Sequence, residues 1–238
     1  MYSSPTTSSK SFRIGIICGS QRKPRVGDQI TDFVYEILKL HSSSIRNTIT
    51  LEFDYIDIGA LSLPFYDEPG IPSKITSAEG YTHEHTRVWS RRVAALDAFV
   101  FVTPQYNWGV PGGLKNAIDL LYNEWKGKPA IIVSYGGHGG GKAAASLKLC
   151  LAGGIDMQIG DRMVVNLSFP NREVLYKAAK GEQLGLSATK DGGIWSSERK
   201  RISSACDEMV GMLMAQGAAK VALHASQKFN RIRLAFQK

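Results

Sequence analysis

Cysteine is scarce. There are three in 238 residues, Cys18, Cys150 and Cys206, with no C-x-x-C pair. That excludes a disulfide framework and a cysteine-rich zinc site, and it suits a reducing compartment. No apolar run is long enough to span a bilayer. The opening Met-Tyr-Ser-Ser-Pro-Thr-Thr-Ser-Ser-Lys lacks the apolar centre of a secretory signal and reads as a disordered lead, residues 1–11. The dinucleotide fingerprint G-x-G-x-x-G is missing, because the early glycines are Gly15, Gly19 and Gly27. A phosphatase loop is missing too, since Pro24 stands where its arginine would follow Cys18. Acids are absent from residues 219–238, which carry Lys220, Lys228, Arg231, Arg233 and Lys238. Part of the net charge of +8 is therefore local, and we read this stretch as a solvated basic tail rather than a nucleic-acid or membrane site.

With 43% hydrophobic and 21% charged residues, the rest reads as one globular domain, residues 12–218. Its centre is residues 98–117. Phe99, Val100, Phe101 and Val102 form an unbroken apolar run, as in a strand buried on both faces. Thr103-Pro104 ends it, and Gln105-Tyr106-Asn107-Trp108-Gly109 forms a loop. Pro111 suits a first helical turn, and Leu114, Ala117, Ile118 and Leu121 repeat at helical spacing.

The same alternation runs along the chain. Strands are predicted at residues 12–18, 49–58, 129–134 and 163–167, with a helix marked by Ile30, Phe33, Val34, Ile37 and Leu38. Residues 59–74 read as a surface loop and residues 81–96 as a helix with Val88, Arg92 and Ala95 on successive turns. Residues 143–151 read as a helix, residues 171–195 as irregular, and residues 196–215 as a helix carrying Ile202, Ala205, Cys206, Met209 and Leu213. The expected fold is α/β: a flavodoxin-like, doubly wound, five-stranded parallel sheet of order 2-1-3-4-5 with a C-terminal helical extension.

In that order the first, third and fourth strands are neighbours, so the three most unusual loops meet at one crevice. Residues 19–27 offer the Ser20 hydroxyl, Arg22, Arg25 and backbone N–H groups near a helix start, a set suited to phosphate. The alternative is a turn serine and surface cations. Residues 104–113 offer amides and aromatic rings without acid, base or nucleophile, which suits a flat heteroaromatic ligand. Packing under the turn is the alternative for Tyr106 and Trp108. Residues 136–143 nearly spell G-x-x-x-x-G-K-[ST], but Ala143 supplies no hydroxyl for Mg²⁺. Glycines here would let backbone approach a flat ring; His138 is either a substrate-side group or turn filler. His83-Glu84-His85 does not complete H-E-x-x-H, and on a helix alternate residues point apart, so no metal is expected.

Gly19-Ser20-Gln21-Arg22, Pro104-Gln105-Tyr106-Asn107 leading to Leu114-Lys115-Asn116-Ala117-Ile118-Asp119, and Ser134-Tyr135-Gly136-Gly137 closely resemble the NAD(P)H-dependent FMN reductase family. Glu124-Trp125, Lys128-Pro129-Ala130 and the run to Gly140 are most similar to its fungal quinone-reductase branch. The resemblance covers roughly residues 12–168. It implies a homodimer that binds FMN, takes hydride from NADPH or NADH, and passes two electrons to quinones or other acceptors in ping-pong fashion. By position, Ser20, Arg22 and Arg25 would meet the FMN phosphate. Pro104, Gln105, Tyr106 and Asn107 would line the isoalloxazine ring, with Ser134, Gly136 and Gly137 on its other side and Trp108 and His138 on the substrate face. No side chain would be catalytic, because the flavin carries the chemistry. The expected setting is the cytoplasm, with the nucleus an alternative. A flavodoxin-like electron carrier or redox-sensing interaction protein is the competing function. Gln105 and Arg25 depart from the family, where Glu and Ser are common, and residues 171–238 lie outside its pattern.

Overall fold

The computed structural model describes residues 10–44 and 49–235, with side chains described as far as Ala219. Most of the expected lead, residues 1–9, lies outside the described residues. Five parallel strands form one sheet in the order β2-β1-β3-β4-β5. They are β1 (Lys10–Cys18), β2 (Ile49–Asp57), β3 (Ala98–Pro104), β4 (Ala130–Gly136) and β5 (Val164–Ser168). The central strand β3 is buried along its whole length, as its unbroken apolar run requires. β2 lies at an edge and is only partly covered.

Alternate side chains of each strand point to opposite faces, so the sheet has two cores. On one face Ile14, Ile16, Val100, Val102, Ile131 and Val133 pack under α1 (Gly27–Ser44) and the first part of α7 (Glu198–Ala235). On the other, Phe99, Phe101 and Ile132 pack under α3 (Glu84–Ala94), α4 (Gly112–Asp119) and α5 (Gly141–Lys148), with Trp125 wholly buried among them. A four-residue helix, α2 (Ile58–Leu61), interrupts the stretch expected to be a loop.

Three elements differ from the sequence reading. α3 begins at Glu84, because the buried Glu68 carboxylate accepts the Thr82 and His83 N–H groups just ahead of it. Its buried face is Thr86, Trp89, Ser90 and Val93, whereas Val88 is exposed and Arg92 pairs with Asp54. The face is hard to read from hydropathy because it includes Ser90, which donates to the buried Glu124 carboxylate. Second, residues 171–195 are not wholly irregular: α6 (Arg172–Lys180) lies within them. Its start is capped by the Asn171 side chain, which accepts the Val174 N–H, and its end by Gly181 at φ +71°. Third, α7 continues as backbone helix to Ala235, so residues 219–235 of the basic stretch belong to it.

Candidate functional site

The register of the sheet brings the loops together. Cys18 pairs with Val102, and Thr103 and Pro104 pair with Ser134 and Tyr135, so the chain leaves β1, β3 and β4 side by side at their carboxyl ends. Gly19 N–H donates to Val102 O at 2.9 Å, carrying the ladder one residue into the first loop.

Ser20 is buried, and its hydroxyl lies 2.9 Å from the Tyr106 hydroxyl. The Arg22 guanidinium lies over the Tyr106 ring, 3.8 Å from its centre, and has no carboxylate partner among the described residues. Arg25 differs. It donates twice to Asp57 at the end of β2, once at 3.0 Å, and also to Ser20 O. Burial works against the Asp57 charge, but hydrogen bonds from Arg25 and the local backbone N–H groups outweigh it and hold the carboxyl below its usual range. Arg25 is correspondingly raised, first by its hydrogen bond to Asp57. Its guanidinium thus pins the loop to the neighbouring strand. Cys18 beneath it is a buried thiol whose pKa burial pushes up, so it is no thiolate nucleophile.

The second loop is a tight turn. Tyr106 N–H donates to Gly109 O at 3.1 Å and Gly109 N–H to Tyr106 O at 2.9 Å. Between them Asn107 and Trp108 both have positive φ, +47° and +66°. Asparagine tolerates this conformation; a tryptophan there is strained. The strain holds an indole in water, for Trp108 is 72% exposed.

The third loop is joined to the second by Gln105. Its Oε1 accepts the Lys142 and Ala143 N–H groups at 3.0 and 3.3 Å, capping the start of α5. The glycines that follow divide into two kinds. Gly139 and Gly140 have φ of +79° and +73°, and a Cβ on Gly140 would meet Tyr135 N at 2.8 Å. Gly136 and Gly137 have neither constraint: a Cβ there would meet its nearest neighbours at 3.6 and 3.5 Å, ordinary contact. Nothing in the fold of this chain requires them to be glycine.

Ser20, Arg22, Arg25, Pro104, Gln105, Tyr106, Gly136 and Gly137 all line one cleft of about 270 Å³. Gln105, Trp108 and His138 line a second, of about 400 Å³, so Gln105 is the wall between them. Asn107 and Ser134 line neither. Asn107 sits on the exposed crest of the turn. Ser134 is fully buried, within reach of Gly139 O at 3.0 Å and Asn166 Oδ1 at 2.7 Å, and ties the glycine loop to β5. His83 and His85 behave unlike two residues of one helix. His83 precedes α3 in extended backbone, so the rings stack 5.2 Å apart, with His85 Nε2 3.0 Å from Asp67 Oδ1. Among the described residues no group of three His, Cys, Asp or Glu is placed to hold a metal.

Sequence reasoning missed the far wall of the first cleft. Phe169, Leu175, Ala178 and Ala179 supply it, three of them from α6. The available signals were Asn171 as cap, the Glu173–Lys177 pair one turn apart, and Gly181. Gly181 also lets α6 end against the first loop, where a Cβ would meet Pro24 Cβ at 2.8 Å. Phe169 then packs at a tilt against Trp195, whose indole N–H donates to Ser168 O at 2.6 Å.

The family profile described as NADPH-dependent FMN reductase matches residues 12–171. An NAD(P)H-dependent FMN reductase of a Nectria species is 36% identical over 203 residues, covering 84% of this chain and 96% of the relative. An NAD(P)H-dependent FMN reductase of Saccharomyces cerevisiae is 42% identical over 180 residues, covering 69% and 93%. Among solved structures, the flavoenzyme NAD(P)H:(acceptor) oxidoreductase of Paracoccus denitrificans superposes with a TM-score of 0.56 at 24% identity, over 86% of this chain and 98% of that one, a likeness of fold.

Proposed function

The chain belongs to the NADPH-dependent FMN reductase family, and on that premise we propose that it is a ping-pong oxidoreductase in which FMN occupies the first cleft and NAD(P)H and a quinone-type acceptor take turns on its second-cleft side. The observation that carries this reading is the pair Gly136 and Gly137. They are open backbone on the wall of a cleft, unneeded by the fold, with Gln105 beside Gly136 and Tyr106 in the same lining. Such a cradle suits a flat ring laid against peptide groups.

The residues present fit FMN. Arg22 and the backbone of the first loop, at the start of α1, would hold its phosphate. Pro104, Gln105, Tyr106, Gly136 and Gly137 would flank the ring system, and Leu175 with Phe169 would exclude water from one side. Arg25 acts through its bonds to Asp57 and Ser20 O, fixing the loop, and Ser134 fixes the glycine loop from below. Bound FMN would supply the two-electron redox chemistry between NAD(P)H and the acceptor. The side chains bind and orient; none is placed as acid, base or nucleophile. Trp108 and His138, which line the second cleft with Gln105, would face the substrate. A homodimer and a cytoplasmic setting belong to the same reading. No helix among the described residues is long and apolar enough to cross a membrane.

The test is an absorbance spectrum of the purified protein before and after anaerobic NADPH. Flavin bands that bleach with NADPH and return with a quinone support the reading. A colourless protein that neither takes up FMN nor consumes NADPH overturns it. Parallel double-reciprocal plots against donor and acceptor are expected; intersecting lines would exclude the ping-pong order.

A further inference from the structure

The second cleft has features that holding a flavin does not explain. Trp108 is presented to solvent at a backbone cost, from a turn closed on both sides by hydrogen bonds. Lys142 stands in the first turn of α5, where a cation is disfavoured by the helix dipole. Its ammonium lies 5.4 Å from the centre of the Trp108 ring and has no carboxylate partner among the described residues. The cleft lining holds Gln105, Trp108, His138, Gly141, Lys142 and Ala145, with no acid. An exposed indole with an ammonium over its ring and no carboxylate in the lining to neutralise it, next to the cradle but distinct from it, suits an aromatic group carrying an anion.

We propose that Trp108 and Lys142 form the subsite for the phosphorylated adenosine end of NADPH, with adenine against the indole and the 2′-phosphate on the Lys142 ammonium, and that this pair makes the protein prefer NADPH to NADH. The proposal rests on the reading of the protein as an NAD(P)H-dependent reductase. Two further arguments select this occupant. Sites that prefer the unphosphorylated dinucleotide place a carboxylate on the ribose 2′-hydroxyl, and this lining has none. A dinucleotide also has a remote, non-reacting end whose binding can orient the reacting end, and a simple quinone has no such handle.

The test is made on the FMN-loaded full chain. 2′,5′-ADP is titrated by calorimetry and by tryptophan fluorescence. The second readout is selective, because Trp108 is 72% exposed whereas Trp89, Trp125 and Trp195 are 2%, 0% and 6% exposed. Expected are quenching by 2′,5′-ADP, binding of 5′-AMP about tenfold weaker, and a loss of about tenfold in 2′,5′-ADP affinity in Lys142→Gln, largely restored in Lys142→Arg (tenfold being about 1.4 kcal/mol). Lys142→Gln is also expected to lower the ratio of kcat/KM for NADPH to that for NADH by about tenfold. Equal binding of 2′,5′-ADP and 5′-AMP, or an unaltered ratio, would overturn the proposal. So would a loss in Lys142→Gln confined to a sulfonated naphthoquinone acceptor, which would assign the cation to the acceptor. The titration needs no turnover. A protein that lacks FMN would sink the reductase reading in its spectrum while 2′,5′-ADP binding is still read separately.

Discussion

The two clefts share Gln105 yet are built on opposite plans. In the first, polar groups are already engaged: Ser20 with Tyr106 and Arg25 with Asp57. Its walls are peptide backbone and half-buried apolar side chains. In the second, Trp108 and His138 are exposed side chains on turns and Lys142 is exposed at the start of α5. A preorganised wall suits a resident ligand, since little ordering remains to be done at binding. An exposed rim suits ligands that come and go. The contrast is what a cofactor-plus-exchanging-substrate enzyme needs.

The sharpest way to break this comparison is within the glycine loop. Gly140→Ala puts a Cβ at φ +73° within 2.8 Å of Tyr135 N, and should destabilise the fold by about 3 kcal/mol. Gly137→Ala meets only Leu175, at 3.5 Å, so denaturant stability should stay within about 0.5 kcal/mol of wild type. Its FMN affinity should nonetheless fall by tenfold or more, roughly 1.4 kcal/mol. If Gly137→Ala keeps full FMN affinity, the cradle is not a cradle.

Next in size is the pin behind the first loop. Asp57→Asn removes a charge from a pair whose side chains are 20% and 22% exposed, and should cost about 1–2 kcal/mol at neutral pH. Because the folded Asp57 pKa lies below the unfolded one, this stabilisation is present above about pH 4 and is lost as pH falls through the folded value. Unfolding midpoints of wild type and variant should therefore converge in acid; a constant gap down to the acid limit would rule out the ion pair as its source. FMN affinity should drop with stability if Arg25 acts by holding the loop, and stay level if it does not.

How much of this was legible in the sequence depends on what had to be local. The β3–turn–α4 unit could be read residue by residue, because an unbroken apolar run and a helical stripe are short-range signals. The convergence of three loops followed from topology alone. Ser134 could not be placed: in a strand buried on both faces every residue reads the same, so nothing local says which side a hydroxyl faces. The partner of Arg25 lies 32 residues away on another strand, beyond any local pattern. α6 was different, since its cap, ion pair and terminal glycine were all present. Its apolar face is Val174, Leu175, Ala178 and Ala179, too short to stand out after Pro170.

Gln105 tests the wall between the clefts. Gln105→Glu would keep the cap on α5 and add a charge that the helix start favours, raising stability by about 0.3–1 kcal/mol. The same charge beside the ring should lower the flavin midpoint potential, read by equilibrium dye reduction. An unchanged or higher potential would mean that the Gln105 side chain does not face the ring.

The smallest effect should come from the turn, and its sign is the informative part. Trp108→Gly relieves a strained backbone at φ +66°, which favours the fold, while glycine adds freedom to the unfolded chain, which opposes it. The indole itself contributes little burial, being 72% exposed. The net change should be a slight stabilisation, about 0.5 kcal/mol. At the same time kcat/KM for NADPH should fall severalfold. A variant that is more stable and less effective would show that the tryptophan is held at this position for a ligand, against the preference of the fold. If it lost stability instead, the indole would be packing against something in the assembled protein, and the second cleft would be part of an interface rather than an open rim.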